Sequence, residues 1–543
     1  MDAAADPQPD AGPLDGRERE LKFEAHASAL NRIGSALRKT EGAAKRGVAT
    51  RLISVYFDTA DQVLARHGVS LRIRRKGRAY IQTIKRSSGG VGLFDRAEWE
   101  RRSRGPELAL TIEEQALLGS ILGREDGSAP LLQPAFTVAA KRTVYDVRRG
   151  EFAAEIALDE AVIEAGEASH PFCELELELL SGGSEELFGL ARELFGLAPI
   201  RVSALAKSER GYAALGGSLG VPVKAGTSPI KPDMTVEDAF LAAVGDCLRQ
   251  YRLNENVLLN GPDAKATHQA RVALRRMRSA FSVFGAAVAD ERSLALKDGL
   301  KWLAGALGDA RDLDVFIERH FADPDALAVD AGLAALGARL AKDRDAAYAA
   351  AAKALQSPRS RELMLDLVEW LALGAWRSAP ETAELRAAPI ASFAAEVLTK
   401  RRKKVKKAGK ELETLSPYDR HQVRIEAKKL RYATDFFEHV FVEGGARKRY
   451  AAFSSGLAEL QEDLGLLNDI ATARDLTRKL AHGAVKAGDA DQAFAAGVIA
   501  GEGQARAAKL LSAAARNFSA LMKADPFWGR KTEAPPQVRT PDA

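Results

Sequence analysis

Two periodicities divide the chain. Up to about Leu215 apolar and polar residues mostly alternate, in the runs ERELKFEA, RLISVYFDT, LRIRR, YIQTIK, RAEWERR, KRTVYDV, EFAAEIALDEAVIEA and CELELELL. Alternation sends successive side chains to opposite faces of a strand, so these runs, with turn residues between them, predict an antiparallel sheet or barrel. Helical spacing interrupts them at 29–38, 111–122 and 184–195. In LRIRRKGRAYIQTIK, Arg72 and Arg74 share one face opposite Leu71 and Ile73, and the turn holding Gly77 returns the chain through a hairpin that ends in Lys85. Three cations on neighbouring strands repel one another unless their face meets water or surrounds an anion.

A segment rich in Gly, Pro and Ser, 216–233, ends the alternating half. Beyond it the chain turns to Ala, Leu, Arg, Lys and Glu with helical periodicity. HQARVALRRMRSAFSVF (268–284) and HQVRIEAKKLRYATDFF (421–437) align without a gap, and each is followed by a second signature, LGDARDLDV (307–315) and LGLLNDIATARDL (464–476). A duplicated helical bundle accounts for this repeat. The predicted fold is therefore two domains. An N-terminal α+β antiparallel barrel spans 17–215, and a C-terminal all-α duplicated bundle spans 234–525, with repeats at about 234–390 and 391–525. The ends, 1–16 and 526–543, read as disordered.

Composition narrows the classes. The 543 residues are 46% hydrophobic and 28% charged, with a net charge of +5 that is too small to argue by itself for nucleic acid. Cys173 and Cys247 lack metal or disulfide spacing, residues 1–16 lack the pattern of a signal peptide, and no stretch reaches the length of a membrane helix, so a cytoplasmic protein is expected.

Charge returns at alternate positions through most of the strands. Glu18, Glu20 and Lys22 share a face; Arg96, Glu98 and Glu100 do so in RAEWE, Glu174, Glu176 and Glu178 in CELELEL, and Glu155 and Asp159 flank EIALD. One such strand is ordinarily a solvated face. Repetition over seven strands, with carboxylates on some and Arg or Lys on others, suits a barrel whose charged faces point inward. There cations can wrap a phosphate chain and carboxylates hold divalent metal, as phosphoryl chemistry requires. A P-loop mechanism is excluded, because no GxxxxGK[ST] occurs.

ExExK (Glu18, Glu20, Lys22), YFDT, LRIRR, QTIK, RAEWE, ALDE, ELELEL and KSERGY occur in the order of the CYTH or triphosphate tunnel family, and 17–212 resembles such a domain. The resemblance implies that Lys22, Arg72, Arg74, Lys85, Arg142 and Lys207 bind a triphosphate, with Arg210 assisting. It also implies that Glu18, Glu20, Glu98, Asp159 and two of Glu174, Glu176 and Glu178 bind Mg²⁺ or Mn²⁺ or position water. Lys141 competes with Arg142, since a slip of one residue exchanges faces.

In the helical half, His268, Arg271, Arg275 and Arg278 keep the spacing of His421, Arg424, Lys428 and Arg431, which puts each set along one helix face. Apolar stripes accompany them, Ala270, Leu274, Met277, Phe281 and Phe284 in one copy, Val423, Ala427, Leu430, Thr434 and Phe437 in the other. A solvated face, or salt bridges to Asp309, Asp312 and Asp469, would explain one copy; recurrence points to a shared cationic groove for a polyanion. The run 400–410, KRRKKVKKAGK, is a secondary basic feature. These motifs resemble the CHAD domain, often found after CYTH, which implies inorganic polyphosphate on the basic ridges and no chemistry there. The combined expectation is a metal-dependent inorganic triphosphatase with a polyphosphate-binding second domain. Thiamine-triphosphatase and adenylate cyclase activity in the same tunnel, and a non-catalytic polyphosphate-binding or granule-associated protein, are the alternatives. Nucleic acid and membrane are not expected partners.

Overall fold

The structure, a computed structural model, describes residues 17–86, 91–122, 131–322 and 330–529. The expected disordered start, 1–16, lies outside the described residues, as does the tail from 530. Residues 526–529 depart from expectation: Phe527 and Trp528 are buried, Trp528 meets Phe453 edge-on at 5.2 Å, and its Nε1 donates to Thr399 Oγ1 at 2.9 Å. Two aromatic rings with an indole partner outweigh the polar composition that follows them.

The alternating half forms the expected strands. They are β1 (Arg17–Ala25), β2 (Ala43–Lys45), β3 (Thr50–Asp58), β4 (Val69–Lys76), β5 (Ala79–Arg86), β6 (Leu93–Ser103), β7 (Gln133–Arg149), β8 (Phe152–Ala165), β9 (Ala168–Ser181) and β10 (Arg201–Val202). Pairing runs β1–β6–β5–β4–β3–β7–β8–β9, and β9 pairs back onto β1, so the circuit closes with every neighbour antiparallel. The β4–β5 hairpin turns through Gly77, whose φ of +61 suits the first position of a two-residue turn and disfavours a side chain there.

Helices cover the apolar outer faces. α1 (Ala27–Leu37), α2 (Val63–Arg66), α3 (Ile112–Leu122), α4 (Ser184–Leu197) and α5 (Lys207–Leu215) lie between or after the strands. Leu71, Ile73 and Ile84 are buried with Leu64 of α2 and Leu118 of α3, and Phe23 meets Phe195 of α4 edge-on at 5.4 Å. Each such side chain contributes about 1.5–3 kcal/mol by leaving water. Apolar material is thus drawn outward to the helices, and the charged positions are left inside. α5 seats against β7 through Gly211, where a Cβ would come within 2.0 Å of the Phe136 ring.

The remainder is helical: α6 (Val236–Asn260), α7 (Ala264–Val283), α8 (Gly285–Val288), α9 (Glu291–Ala306), α10 (Gly308–His320), α11 (Ala331–Gln356), α12 (Pro358–Leu373), α13 (Ala383–Ala387), α14 (Ile390–Ala408), α15 (Pro417–Phe436), α16 (Ala446–Lys486) and α17 (Ala490–Lys523). The described residues from Arg17 through Val223 form one compact unit together with Leu248–Gly261 and Lys353–Ala375; Lys224–Cys247 and the described residues of Pro262–Ala352 and from Trp376 to Gly529 form the other. Both predicted apolar stripes are buried, from Ala270 to Phe284 on and after α7 and from Val423 to Phe437 on and after α15. Among the described residues no helix is long and apolar enough to cross a membrane.

Candidate functional site

Closure of the sheet gathers the alternating charges around a cavity of about 330 Å³. Its lining includes Glu18, Glu20 and Lys22 from β1, Arg72 and Arg74 from β4, Lys85 from β5, Glu98 and Glu100 from β6 and Arg142 from β7. Glu155, Glu176 and Glu178 come from β8 and β9, and Lys207 from the first turn of α5. Asp159 and Glu174 lie in the wall, each fully buried. Lys141 points outward and pairs with Glu160 at 3.3 Å, so of the two rivals on β7 it is Arg142 that faces inward.

Arg210 stands apart from the predicted set. Its Nη2 donates to Glu24 at 2.8 Å and its guanidinium lies over Phe172 at 4.9 Å, outside the cavity that Lys207 enters. One turn of α5 separates the two residues and carries Arg210 past the wall. Conversely, Arg46, Tyr56, Lys76 and Glu100 line the cavity without having been singled out for a role. Arg46 sits beyond the end of β2, where alternation gives no signal, and is held by Asp146 and by Glu155 at 2.7 Å.

The charges sort into three neighbourhoods. In the first, Lys207 Nζ sits between Asp159, Glu174 and Glu176 at 2.9, 2.6 and 2.8 Å, and Lys22 contacts Glu176 as well as Glu20 at 2.7 Å. Arg142 grips Asp159 with two hydrogen bonds of 2.8 and 2.6 Å and also reaches Glu176. Burial opposes charge on these groups, yet the cations prevail. The Asp159 carboxyl is held down at about 2 and Glu176 well below the usual range, while Arg142 and Lys207 are pushed above theirs. Glu174 differs, because burial raises it more than Lys207 lowers it.

The second neighbourhood is cationic. Among the described residues neither Arg72 nor Arg74 has a carboxylate within ion-pair distance; Arg74 Nε donates instead to Ser54 Oγ at 3.2 Å. Burial, with Arg72 and Arg142 close by, draws Arg74 down to about 10. The third is anionic. Glu20 and Glu178 stand directly opposite across β1 and β9, and burial together with Glu18, Glu155 and Glu20 raises Glu178 to about 7. Lys85 bridges Glu18 and Glu98, the latter at 3.1 Å. Among the described residues no group of three His, Cys, Asp or Glu side chains forms a ready metal-binding set. Guanidinium groups with no carboxylate at ion-pair distance, beside crowded carboxylates, nevertheless fit an anion and a divalent cation arriving together, the ion taking a few carboxylates and completing its shell with phosphate oxygens.

The two helical ridges also come together. Arg275 of α7 donates to the Tyr432 hydroxyl of α15 at 3.2 Å, and burial with Arg424, Arg275 and Arg271 nearby lowers Lys428 to about 8. Burial with Arg311, Arg275 and Arg271 lowers His268 to about 4. The salt bridges weighed against a cationic groove are slight: Arg271 reaches Asp312 only at 4.0 Å, and Asp469 pairs with Arg319 at 3.1 Å.

Comparison with known proteins bears on both regions. Residues 16–212 match the CYTH domain family and residues 242–478 the CHAD domain family. An inorganic triphosphatase of Haemophilus influenzae is 31% identical over 160 residues, 29% of this chain and 44% of that protein, so the chain spans less than half the length of that relative. The CHAD domain from the plant Ricinus communis is 33% identical, with 55% of this chain and 97% of that one covered and a TM-score of 0.47. A Hippeastrum protein first assigned as a candidate adenylyl cyclase and described as having a dominant triphosphatase activity is 23% identical, with 36% and 96% covered and a TM-score of 0.28. With the inward-facing motif charges and the duplicated ridges in view, residues 16–212 belong to the CYTH domain family and residues 242–478 to the CHAD domain family.

Proposed function

We propose that the barrel is a metal-dependent triphosphatase acting on inorganic triphosphate, releasing diphosphate and phosphate, and that the helical half binds inorganic polyphosphate. The observation that carries the first part is the pair of Arg72, buried, and Arg74, half-buried, with no carboxylate at ion-pair distance among the described residues, in a cavity whose opposite wall crowds carboxylates. Guanidinium groups in that state gain most from phosphate oxygens, which they meet bidentately.

In this reading Arg72, Arg74, Arg142, Lys22, Lys85 and Lys207 bind the triphosphate. Asp159 and Glu174 act from the wall by keeping Lys207 and Arg142 in place. Glu18, Glu20 and Glu178, with Glu98 beside them, are the group that would hold Mg²⁺ or Mn²⁺. When bound, such a cation neutralises phosphate oxygens and the developing charge on the diphosphate leaving group. A carboxylate of this group orients water toward the terminal phosphorus and accepts its proton as the bridging P–O bond breaks; Glu178, raised to about 7, suits that proton.

The lining favours inorganic triphosphate over ATP or thiamine triphosphate. Tyr56 is the one aromatic residue lining the cavity among the described residues, and its ring is 2% exposed and stacked on Phe136, leaving no free face for a base or thiazolium. For the helical half, the mutually repelling ridge cations support a phosphate polyanion as ligand. Phosphate release from triphosphate, ATP and thiamine triphosphate, with and without Mg²⁺ or Mn²⁺, tests the barrel. Metal-dependent release from triphosphate, reduced at least about 100-fold by Arg74→Ala, is expected from a lost charged contact worth a few kcal/mol. Unchanged turnover in that variant overturns the site.

A further inference from the structure

β3 lies between β4 and β7, and its inward residues stand directly opposite arginines on both neighbours: Tyr56 opposite Arg72, Ser54 opposite Arg74, and Thr50 opposite Arg142. The first two hydroxyls are engaged by the arginine they face. Ser54 Oγ accepts from Arg74 Nε, and the Tyr56 hydroxyl is coupled electrostatically to the Arg72 guanidinium that stands opposite it. Both residues are buried, at 5% and 2% exposure.

Tyr56 is itself held firmly. Its ring stacks on Phe136 with centroids 4.6 Å apart and planes 17° apart, and Phe136 is met edge-on by Tyr212 at 5.0 Å. A carboxylate in place of either hydroxyl would orient the arginine equally well, but it would neutralise the charge that the substrate needs. A hydroxyl accepts the hydrogen bond and leaves the charge in place.

We propose that Ser54 and Tyr56 are positioning residues, uncharged acceptors that aim Arg74 and Arg72 into the cavity while leaving their charge for phosphate oxygens. For the substrate this rests on the triphosphatase reading; the aiming of the side chains does not. Although burial raises the Tyr56 hydroxyl, Arg72 and Arg74 outweigh it, so this phenol titrates below an ordinary tyrosine.

Two measurements test the proposal on the full chain. In the first, the ultraviolet titration of wild type minus that of Tyr56→Phe isolates the Tyr56 phenol. Its midpoint is expected below the ordinary tyrosine value of about 10 and should move upward by at least about one unit in Arg72→Gln. A midpoint that Arg72→Gln leaves in place overturns the proposal. In the second, Tyr56→Phe and Ser54→Ala are each expected to lower kcat/KM for triphosphate about tenfold, with Ser54→Thr restoring activity. Tyr56→Phe should cause no further loss in an Arg72→Ala background; an equal loss there means that Tyr56 acts independently of the arginine and refutes the assignment. If Arg72→Ala and Arg74→Ala both hydrolyse triphosphate like wild type, the triphosphatase reading fails, and the phenol titration still decides the positioning role.

Discussion

Replacing Lys207 by Met removes a cation from between three buried carboxylates while keeping most of its volume. The side chain is 8% exposed, and its ammonium lies 2.6–2.9 Å from Asp159, Glu174 and Glu176. Removing one partner of a buried charge group typically costs about 3–5 kcal/mol. A second route to the magnitude uses protonation. The variant can relieve the uncompensated charge by taking a proton onto one carboxyl, most readily Glu174, whose affinity for the proton is already raised by burial. Taking up that proton above the ordinary glutamate value costs about 1.4 kcal/mol per pH unit, hence about 4 kcal/mol at pH 7.5 and below about 1 kcal/mol at pH 5. The two figures agree at neutral pH, and the second adds a slope. The sign follows from the wild-type lysine: its folded value is raised, so its contribution is fully present below the ordinary lysine value and is lost only as pH rises through the folded one. The deficit of Lys207→Met should therefore be largest near pH 7.5 and shrink toward pH 5. Hydrogen exchange of β8 and β9 peptides in the full chain, corrected for intrinsic rates, reads this directly. A deficit under about 1 kcal/mol at pH 7.5, or one equal at both pH values, refutes the account of Lys207 as the counter-ion of this cluster.

Other perturbations give equally definite outcomes. Glu178, raised to about 7, binds more protons folded than unfolded between the ordinary carboxyl value and 7, so stability without metal should fall as pH rises through that window, and Glu178→Gln should flatten the profile in thermal melts. Calorimetry in buffers of different ionisation enthalpy should show Mg²⁺ or Mn²⁺ releasing a fraction of a proton at pH 7, a release absent from Glu178→Gln. Gly211→Ala drives a Cβ into the Phe136 ring and should unseat α5, with about 1–3 kcal/mol lost in barrel stability by hydrogen exchange and reduced triphosphate turnover. In the helical half Lys428, lowered to about 8, must regain its proton when a polyanion binds, so polyphosphate affinity should weaken between pH 7.5 and 9 in titrations, and Lys428→Met should remove much of that dependence.

Alternation along the strands made the partition of faces legible from the residues alone. Leu21, Phe23, Leu71 and Ile73 went to the outer layer and Glu18, Glu20, Lys22, Arg72 and Arg74 to the cavity, because a strand offers only two sides. Helical spacing likewise determined that the four basic residues of each repeat share a ridge opposite a buried stripe. Spacing carries no information about depth or partners. Glu174, Glu176 and Glu178 share one face of β9, yet closure of β9 onto β1 placed Glu174 under Lys207, Glu176 among three cations and Glu178 among carboxylates. Arg210 was excluded for the same reason, since only the docking of α5 decided which turn of the helix entered the barrel. Tertiary structure also gave the hydroxyls of β3 their meaning, because Ser and Tyr at alternate positions are unremarkable until the neighbouring strand sets an arginine opposite each. Local geometry is written in the period of the chain, whereas charge environment depends on through-space distances between residues far apart in sequence, and those exist only once the sheet has closed.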